Sequence, residues 1–256
     1  MDSGSENMLD RIAIITGSSS GIGQSFVRHY LNNKYSVIGI DIQSTNDDIV
    51  AQSEEFRYTY CDLADVNSYE ILDDIILGLT NKNITMVNCA GIAFIARISE
   101  SKLINNISTL LVNCYAPLYT TTRLTEIYSK NRRITIINVS STVAFSPIPL
   151  MAVYGASKAF LHSLSLAMQH ENRDERFDIF ELIPGGTESN FQKSAGVKTK
   201  NDNLLSPDRV VEDCIKAINR GKKHLVVGIK NKILVMVMSV IPTSMKMKIW
   251  TNLISQ

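Results

Sequence analysis

Apolar residues come in short unbroken runs, separated by stretches in which they recur every three or four positions. The runs at 11–16, 35–40, 56–60, 84–88, 133–139, 177–183 and 224–228 predict strands, and the periodic stretches at 22–33, 65–79, 101–129, 151–172 and 207–220 predict helices. Strands that are apolar throughout are covered on both faces. The alternation therefore predicts an α/β fold: a doubly wound, Rossmann-like parallel sheet of about seven strands with helices on both sides. No internal repeat or low-complexity linker divides the pattern, which predicts a flexible tail at 1–10 and a single domain over 11–256. The polar stretch 185–206 interrupts the alternation. Ligands of doubly wound sheets lie beyond the carboxyl ends of the strands, so this stretch is a candidate lid.

The segment 229–256 lies beyond the alternating elements and is strongly apolar. Its run from Ile233 to Ile241 lies between Lys232 and Pro242, and is shorter than the roughly 20 residues that span a bilayer. Met245, Met247, Ile249, Trp250 and Leu253 follow, interleaved with Lys246 and Lys248. Packing on the core, lining a substrate entrance, pairing with another subunit and resting on a membrane surface all suit such a segment, and core or entrance packing is favoured over membrane contact.

The first strand runs into Thr16-Gly17-Ser18-Ser19-Ser20-Gly21-Ile22-Gly23, which opens a helix. Glycines allow a sharp turn and close approach of backbone to a diphosphate, and free N–H groups at the helix start attract its charge. Gly17, Ser19, Ser20, Gly21, Ile22 and Gly23 are thus candidate pyrophosphate contacts. The second strand ends at Asp41, where a dinucleotide fold places a carboxylate against the adenine ribose. That carboxylate accepts from ribose hydroxyls and repels a 2′-phosphate, and Ile42 and Gln43 beyond it supply no positive charge. NAD(H) is favoured over NADP(H). In isolation Asp41 would read as an ordinary turn residue at a strand end.

Composition narrows the function classes. With 256 residues, 45% of them hydrophobic, the chain can bury a large core, and a net charge of +1 with interspersed signs argues against a nucleic-acid partner. Cys61, Cys89, Cys114 and Cys214 form no C-x-x-C pair, and His29, His162, His170 and His224 have no metal-like spacing. Reduced thiols, no metal and a cytoplasmic location are expected, the more so because Met1 to Met8 carries no apolar signal core.

Ser141 closes the fifth strand, and Tyr154 and Lys158 follow at helical i, i+4 spacing on one face. Forming a phenolate at neutral pH costs about 4 kcal/mol from a reference pKa of about 10, and a neighbouring ammonium reduces that cost. With Ser141 holding a carbonyl or alcohol oxygen beside Tyr154, these residues make a proton-transfer site for a ketone/alcohol couple, the hydride travelling on a nicotinamide.

These motifs together resemble the short-chain dehydrogenase/reductase family, from Arg11 to about Trp250. The resemblance implies that Ser141, Tyr154 and Lys158 are catalytic and that Asn113 is a fourth member, continuing a proton relay from the lysine. It also implies cofactor contacts at Asp62 and Leu63 for adenine, at Asn88, Ala90 and Gly91, at Tyr154 and Lys158, and at Pro184, Gly185, Thr187 and Ser189. The family's usual Asn-Asn-Ala-Gly is Asn88-Cys89-Ala90-Gly91 here. The second Asn normally supports the sheet, so Cys89 is expected to lower stability rather than impair chemistry. By the same resemblance the helices at 101–129 and 151–172 build a homodimer or homotetramer.

Phe145, Pro147, Ile148, Pro149, Leu150 and Met151, with Ile92, Phe94 and Ile95, are expected near the nicotinamide, in an apolar pocket without a cationic anchor. A lipid-, steroid- or acyl-like ketone or alcohol fits best. Two alternatives stay open. One is a reductase of carrier-tethered acyl chains, which would need a basic docking patch from Arg97, Lys102, Arg132 and Arg133. The other is a non-catalytic NAD-binding regulator, for which a complete Asn113, Ser141, Tyr154 and Lys158 set would be superfluous.

Overall fold

The computed structural model describes residues 11–45, 47–79, 82–127, 132–171, 176–188 and 204–254. The tail at 1–10 and most of the candidate lid, Ser189 included, lie outside them. In chain order the elements are β1 (Arg11–Thr16), α1 (Gly21–Asn32), β2 (Ser36–Asp41), α2 (Asp48–Ala51), β3 (Phe56–Tyr60), α3 (Tyr69–Leu77), β4 (Asn83–Asn88), α4 (Leu103–Leu110), α5 (Ala116–Ile127), β5 (Ile134–Val139), α6 (Ala152–Glu171), β6 (Phe177–Ile183), α7 (Pro207–Ile218), β7 (His224–Val226), α8 (Ile229–Val240) and α9 (Thr243–Ile254). All seven strands pair in parallel in the order β3-β2-β1-β4-β5-β6-β7. The order reverses between β1 and β4, which opens a crevice at their carboxyl ends.

Successive side chains of β1 point to opposite faces and are buried on both. Ile12 and Ile14 join Leu72, Ile76, Val112 and Leu124 on one side. Ala13 and Ile15 join Phe26, Val27, Val210 and Cys214 on the other. The two layers explain why the strands read as continuous apolar runs.

Three stretches differ from the expected elements. The helix expected over 101–129 is interrupted by a π-helical turn, Leu111–Tyr115, whose wider loop carries Asn113. One inserted residue leaves the apolar period almost intact, so sequence periodicity does not register it. The expected 65–79 helix starts with a 3₁₀ turn, Val66–Ser68, capped by the Asp65 carboxylate accepting from Asn67 N at 3.0 Å. The C-terminal segment forms two helices, α8 and α9, parted at Pro242.

Two buried polar clusters pin the sheet to its helices. Asn88 Nδ2 donates to Asn138 Oδ1 (2.8 Å), Asn138 Nδ2 to Ser165 Oγ (2.9 Å), and Thr120 Oγ1 to Asn88 Oδ1 (2.9 Å). Beside it, the fully buried Glu181 of β6 contacts His162 Nδ1 of α6 at 2.9 Å, and the His162 ring lies against Phe145. Truncating His162 takes this partner from the fully buried Glu181 side chain. His162→Ala is expected to cost about 3 kcal/mol of stability, read as a lower urea midpoint at an unchanged slope.

Candidate active site

A cleft of about 770 Å³ opens at the carboxyl ends of the strands and is lined by the segments following β1 to β6. Its floor is the turn after β1. Gly17 and Gly21 have φ of +69° and +54°, and a Cβ on Gly23 would sit 1.9 Å from the carbonyl oxygen of Gly17. A Cβ on Gly17 would come 2.9 Å from Ala90 Cα. The turn is thus tight, and backbone rather than side chain faces the cleft. Ser20 makes no side-chain cap to α1 and no acidic residue occupies its first turn, leaving N–H groups at the helix start to meet an anion. Ser19, Ser20, Gly21, Ile22 and Gly23 all line this floor, an arrangement suited to a diphosphate.

At one end stands Asp41. Its Oδ2 accepts from Ser19 N (3.0 Å) and Ser19 Oγ (2.7 Å), and its Oδ1 from Gln43 N (3.2 Å). Asp62 accepts from Ala64 N at 2.9 Å, and Asp62 and Leu63 line the same end. Thr16 Oγ1 accepts from the N–H groups of Cys89 and Ala90, each at 3.1 Å, fixing the loop after β4 beside the glycine turn. Ala90, Gly91, Pro184, Gly185 and Thr187 line the opposite wall. Asn88 departs from expectation: it lies beneath the cleft, committed to Asn138 and Thr120, and Cys89 lines the cleft instead. Asn88 itself is thus a sheet-bracing amide.

At the other end four side chains converge. Asn113, fully buried in the π-helical turn, accepts from Ile92 N through Oδ1 (2.9 Å) and donates through Nδ2 to Ile92 O and Ser157 Oγ, both at 2.9 Å. Ser157 Oγ donates to Tyr154 O at 2.7 Å, tying the turn to α6. Lys158 Nζ donates to Val139 O at 2.9 Å and lies 5.9 Å from the centre of the Tyr154 ring. Ser141 hydrogen-bonds the Tyr154 side chain. Tyr154, Ser141 and Lys158 face the cleft, whereas Asn113 stands behind it.

The protonation balance differs from the sequence expectation. Burial pushes Tyr154 up to about 12, only partly opposed by its hydrogen bond to Ser141. Burial pulls Lys158 down to about 8, against smaller upward effects of Cys89 and Cys114. Lys158 Nζ is held against Val139 O, 5.9 Å from the centre of the Tyr154 ring, and burial dominates the state of the phenol. In this state the site holds a neutral tyrosine ready to donate.

Ile92, Phe94, Val143 and Met151 make the apolar wall beyond Tyr154, joined by Val112 and Ser108 from the α4 side. The last two were missed, because positions inside a helical period carry no loop signal. Leu150 holds a φ of +65°, unusual for a branched residue, and its carbonyl accepts from Ala96 N at 2.9 Å, joining the loops after β4 and β5. Phe145, Ile95, Pro147, Ile148, Pro149 and Leu150 are not on the cleft wall, and Ile148 is buried.

Residues 11–200 match the family described as short chain dehydrogenase. The chain is 27% identical over 226 residues to the uncharacterized oxidoreductase DltE of Bacillus subtilis, covering 85% of this chain and 88% of the relative. It is 25% identical over 209 residues to a very-long-chain 3-oxoacyl-CoA reductase of Neurospora crassa (77% of this chain, 60% of the relative). To 17-beta-hydroxysteroid dehydrogenase type 3 of Rattus norvegicus it is 27% identical over 250 residues (90% and 76%). Among solved structures, a short-chain dehydrogenase of Sphingobium yanoikuyae in complex with NADPH superposes with a TM-score of 0.78 at 18% identity, covering 91% of this chain and 96% of that one. One from Burkholderia phymatum in complex with NAD gives 0.75 at 17% identity, covering 90% and 92%. Sequence match, strand order and cleft agree, and the chain belongs to the short-chain dehydrogenase family.

Proposed function

We propose that this oxidoreductase interconverts an apolar ketone and its secondary alcohol, with NAD(H) as preferred cofactor and Tyr154 as proton donor and acceptor. The observation that carries the reading is the placement of Tyr154, Ser141 and Lys158 on the wall of one cleft, opposite a glycine turn that backbone alone can fill. The residues fit such a cofactor: the turn at Gly17 to Gly23 takes the diphosphate, Asp41 the ribose hydroxyls, and Lys158 the nicotinamide ribose. When bound, the nicotinamide supplies or accepts the hydride. Ser141 holds the substrate oxygen, Tyr154 gives it a proton during ketone reduction, and Lys158, braced through Ser157 and Asn113 on the neighbouring turn, replenishes that proton.

Asp41 favours NAD(H) because a 2′-phosphate there would face a carboxylate, and Lys158, at the far end, is the cation among the described lining residues. Fluorescence titration is expected to show tighter binding of NADH than NADPH, and Asp41→Ala to shrink the difference by about tenfold or more. Equal or tighter NADPH binding by the unaltered protein would refute the preference. The pH profile carries a second signature. Below about 8 Lys158 is charged and Tyr154 neutral, so ketone reduction should be flat near neutrality and decline as pH rises through Lys158's value of about 8. Alcohol oxidation, which needs the phenolate, should keep rising with pH toward Tyr154's value of about 12.

The apolar wall and the printed activities of the oxoacyl-CoA and hydroxysteroid relatives support a lipid-, acyl- or steroid-like substrate. The carrier-tethered alternative is weaker: Arg132 and Arg133 precede β5 at the amino edge of the sheet, away from the cleft mouth. Turnover of a panel of steroid ketones and 3-oxoacyl thioesters, free and carrier-linked, tests this assignment.

Assembly belongs to the same proposal. Leu103, Ile104, Ile107, Leu110, Leu118 and Phe160 are exposed along α4, α5 and α6, a stripe suited to a two-fold four-helix contact. Light scattering is expected to give a dimer or tetramer. A fully active monomer at micromolar concentration would contradict it.

A further inference from the structure

On α8, Ile229, Ile233, Met236, Val237 and Val240 are all exposed, the two end residues by 76% and 77%. At 3.6 residues per turn these five positions fall within about 100° of arc. Met238 and Asn231 point the opposite way. Met238 is buried, and Asn231 packs its amide over Gly185 while donating to Val227 O at 2.7 Å. One face of the helix thus holds to the protein and the apolar face turns out.

Lys230 and Lys232 are exposed on either side of this stripe, and α9 adds exposed Met245, Ile249 and Lys248. Lys230, Lys232 and Lys248 are in no ion pair among the described residues, and Asp213 is the last acidic residue of the sequence. No helix of the described residues is long and apolar enough to cross a membrane. A helix with an apolar stripe, lysines at both margins and no acid in its own sequence or that of α9 has the charge and shape of one lying in the plane of an anionic lipid surface, the lysine stems reaching the headgroups.

We infer that α8 and α9 form a docking surface for an anionic lipid bilayer. The apolar stripe enters the headgroup boundary and Lys230, Lys232 and Lys248 meet the lipid phosphates. The same helices touch the cleft's own loops: Lys246 Nζ donates to Phe145 O (3.2 Å), Trp250 Nε1 to Ser146 Oγ (2.9 Å), and Asn231 covers Gly185. Docking therefore holds the substrate end of the cleft near the lipid surface. A second copy pairing through the same stripe would bring its own lysines against these, and neither α8 nor α9 carries an acid to face them.

Sedimentation of the full chain with vesicles tests this directly, and its readout is partition, independent of whether the turnover reading holds. Vesicles of phosphatidylcholine with phosphatidylglycerol are expected to carry the protein down, and phosphatidylcholine alone to do so about tenfold less. A variant with Lys230→Gln, Lys232→Gln and Lys248→Gln should lose about tenfold in partition to the anionic vesicles. Ile233→Asn with Met236→Asn should lose as much, and both should keep the wild-type melting temperature. Absence of co-sedimentation, or partition unmoved by both variants, would overturn the inference. So would halving of the particle mass by Ile233→Asn with Met236→Asn in protein that ignores vesicles, which would assign the stripe to a second copy.

Discussion

Replacement of Tyr154 by Phe is expected to lower turnover by about a thousandfold while leaving NADH affinity within about twofold of wild type. The ring is buried and packs with Ala93, Val143 and Met151, so Phe keeps the volume and removes only the hydroxyl that bonds Ser141. Burial keeps that hydroxyl neutral, with its pKa at about 12, the form a carbonyl reduction consumes. Single-turnover rates and fluorescence titration on the same preparation separate chemistry from binding. A variant that retains substantial turnover would remove Tyr154 from the reaction.

Lys158→Ala should damage both quantities: about a hundredfold in turnover and about tenfold in cofactor affinity. The side chain is buried, its Nζ bonds Val139 O at 2.9 Å, and it lies next to Gly91 on the cleft wall. Truncation removes the local positive charge and leaves a carbonyl without its donor. The decline of reduction near pH 8 should disappear with it, a change that mere loosening of α6 would not produce. Thermal unfolding of the variant distinguishes the two. Unchanged kinetics with the pH profile intact would show that Lys158 only supports the helix.

Much of this was legible in the sequence because single residues carried it. The Thr16 to Gly23 octet defines a turn that backbone geometry restricts to glycine at Gly17 and Gly23, so its composition shows its shape. Doubly buried strands read as apolar runs for the same kind of reason. What was not legible came from features that leave periodicity intact or depend on partners distant in sequence. The π-helical turn at Asn113 adds a residue without spoiling the apolar pattern. Asn88 looked like a cleft residue, yet its amide is claimed by Asn138, fifty positions away. The charge state of Tyr154 could not be read from its spacing to Lys158, because it is set mainly by burial of the phenol, a property of the folded cleft. Within α8 the run from Ile233 to Met238 is apolar on both the exposed and the buried side, Met236 outward and Met238 inward, so the run itself gave little contrast from which to read a period.

The central claim is that this cleft carries out carbonyl chemistry through Tyr154. The most direct measurement is conversion of a steroid or 3-oxoacyl ketone to its alcohol by the purified protein with NADH, followed by mass spectrometry and compared with Tyr154→Phe. The account predicts alcohol formed in step with NADH consumed, and essentially none from the variant. No alcohol from the wild type across the panel, or equal amounts from both proteins, would contradict it.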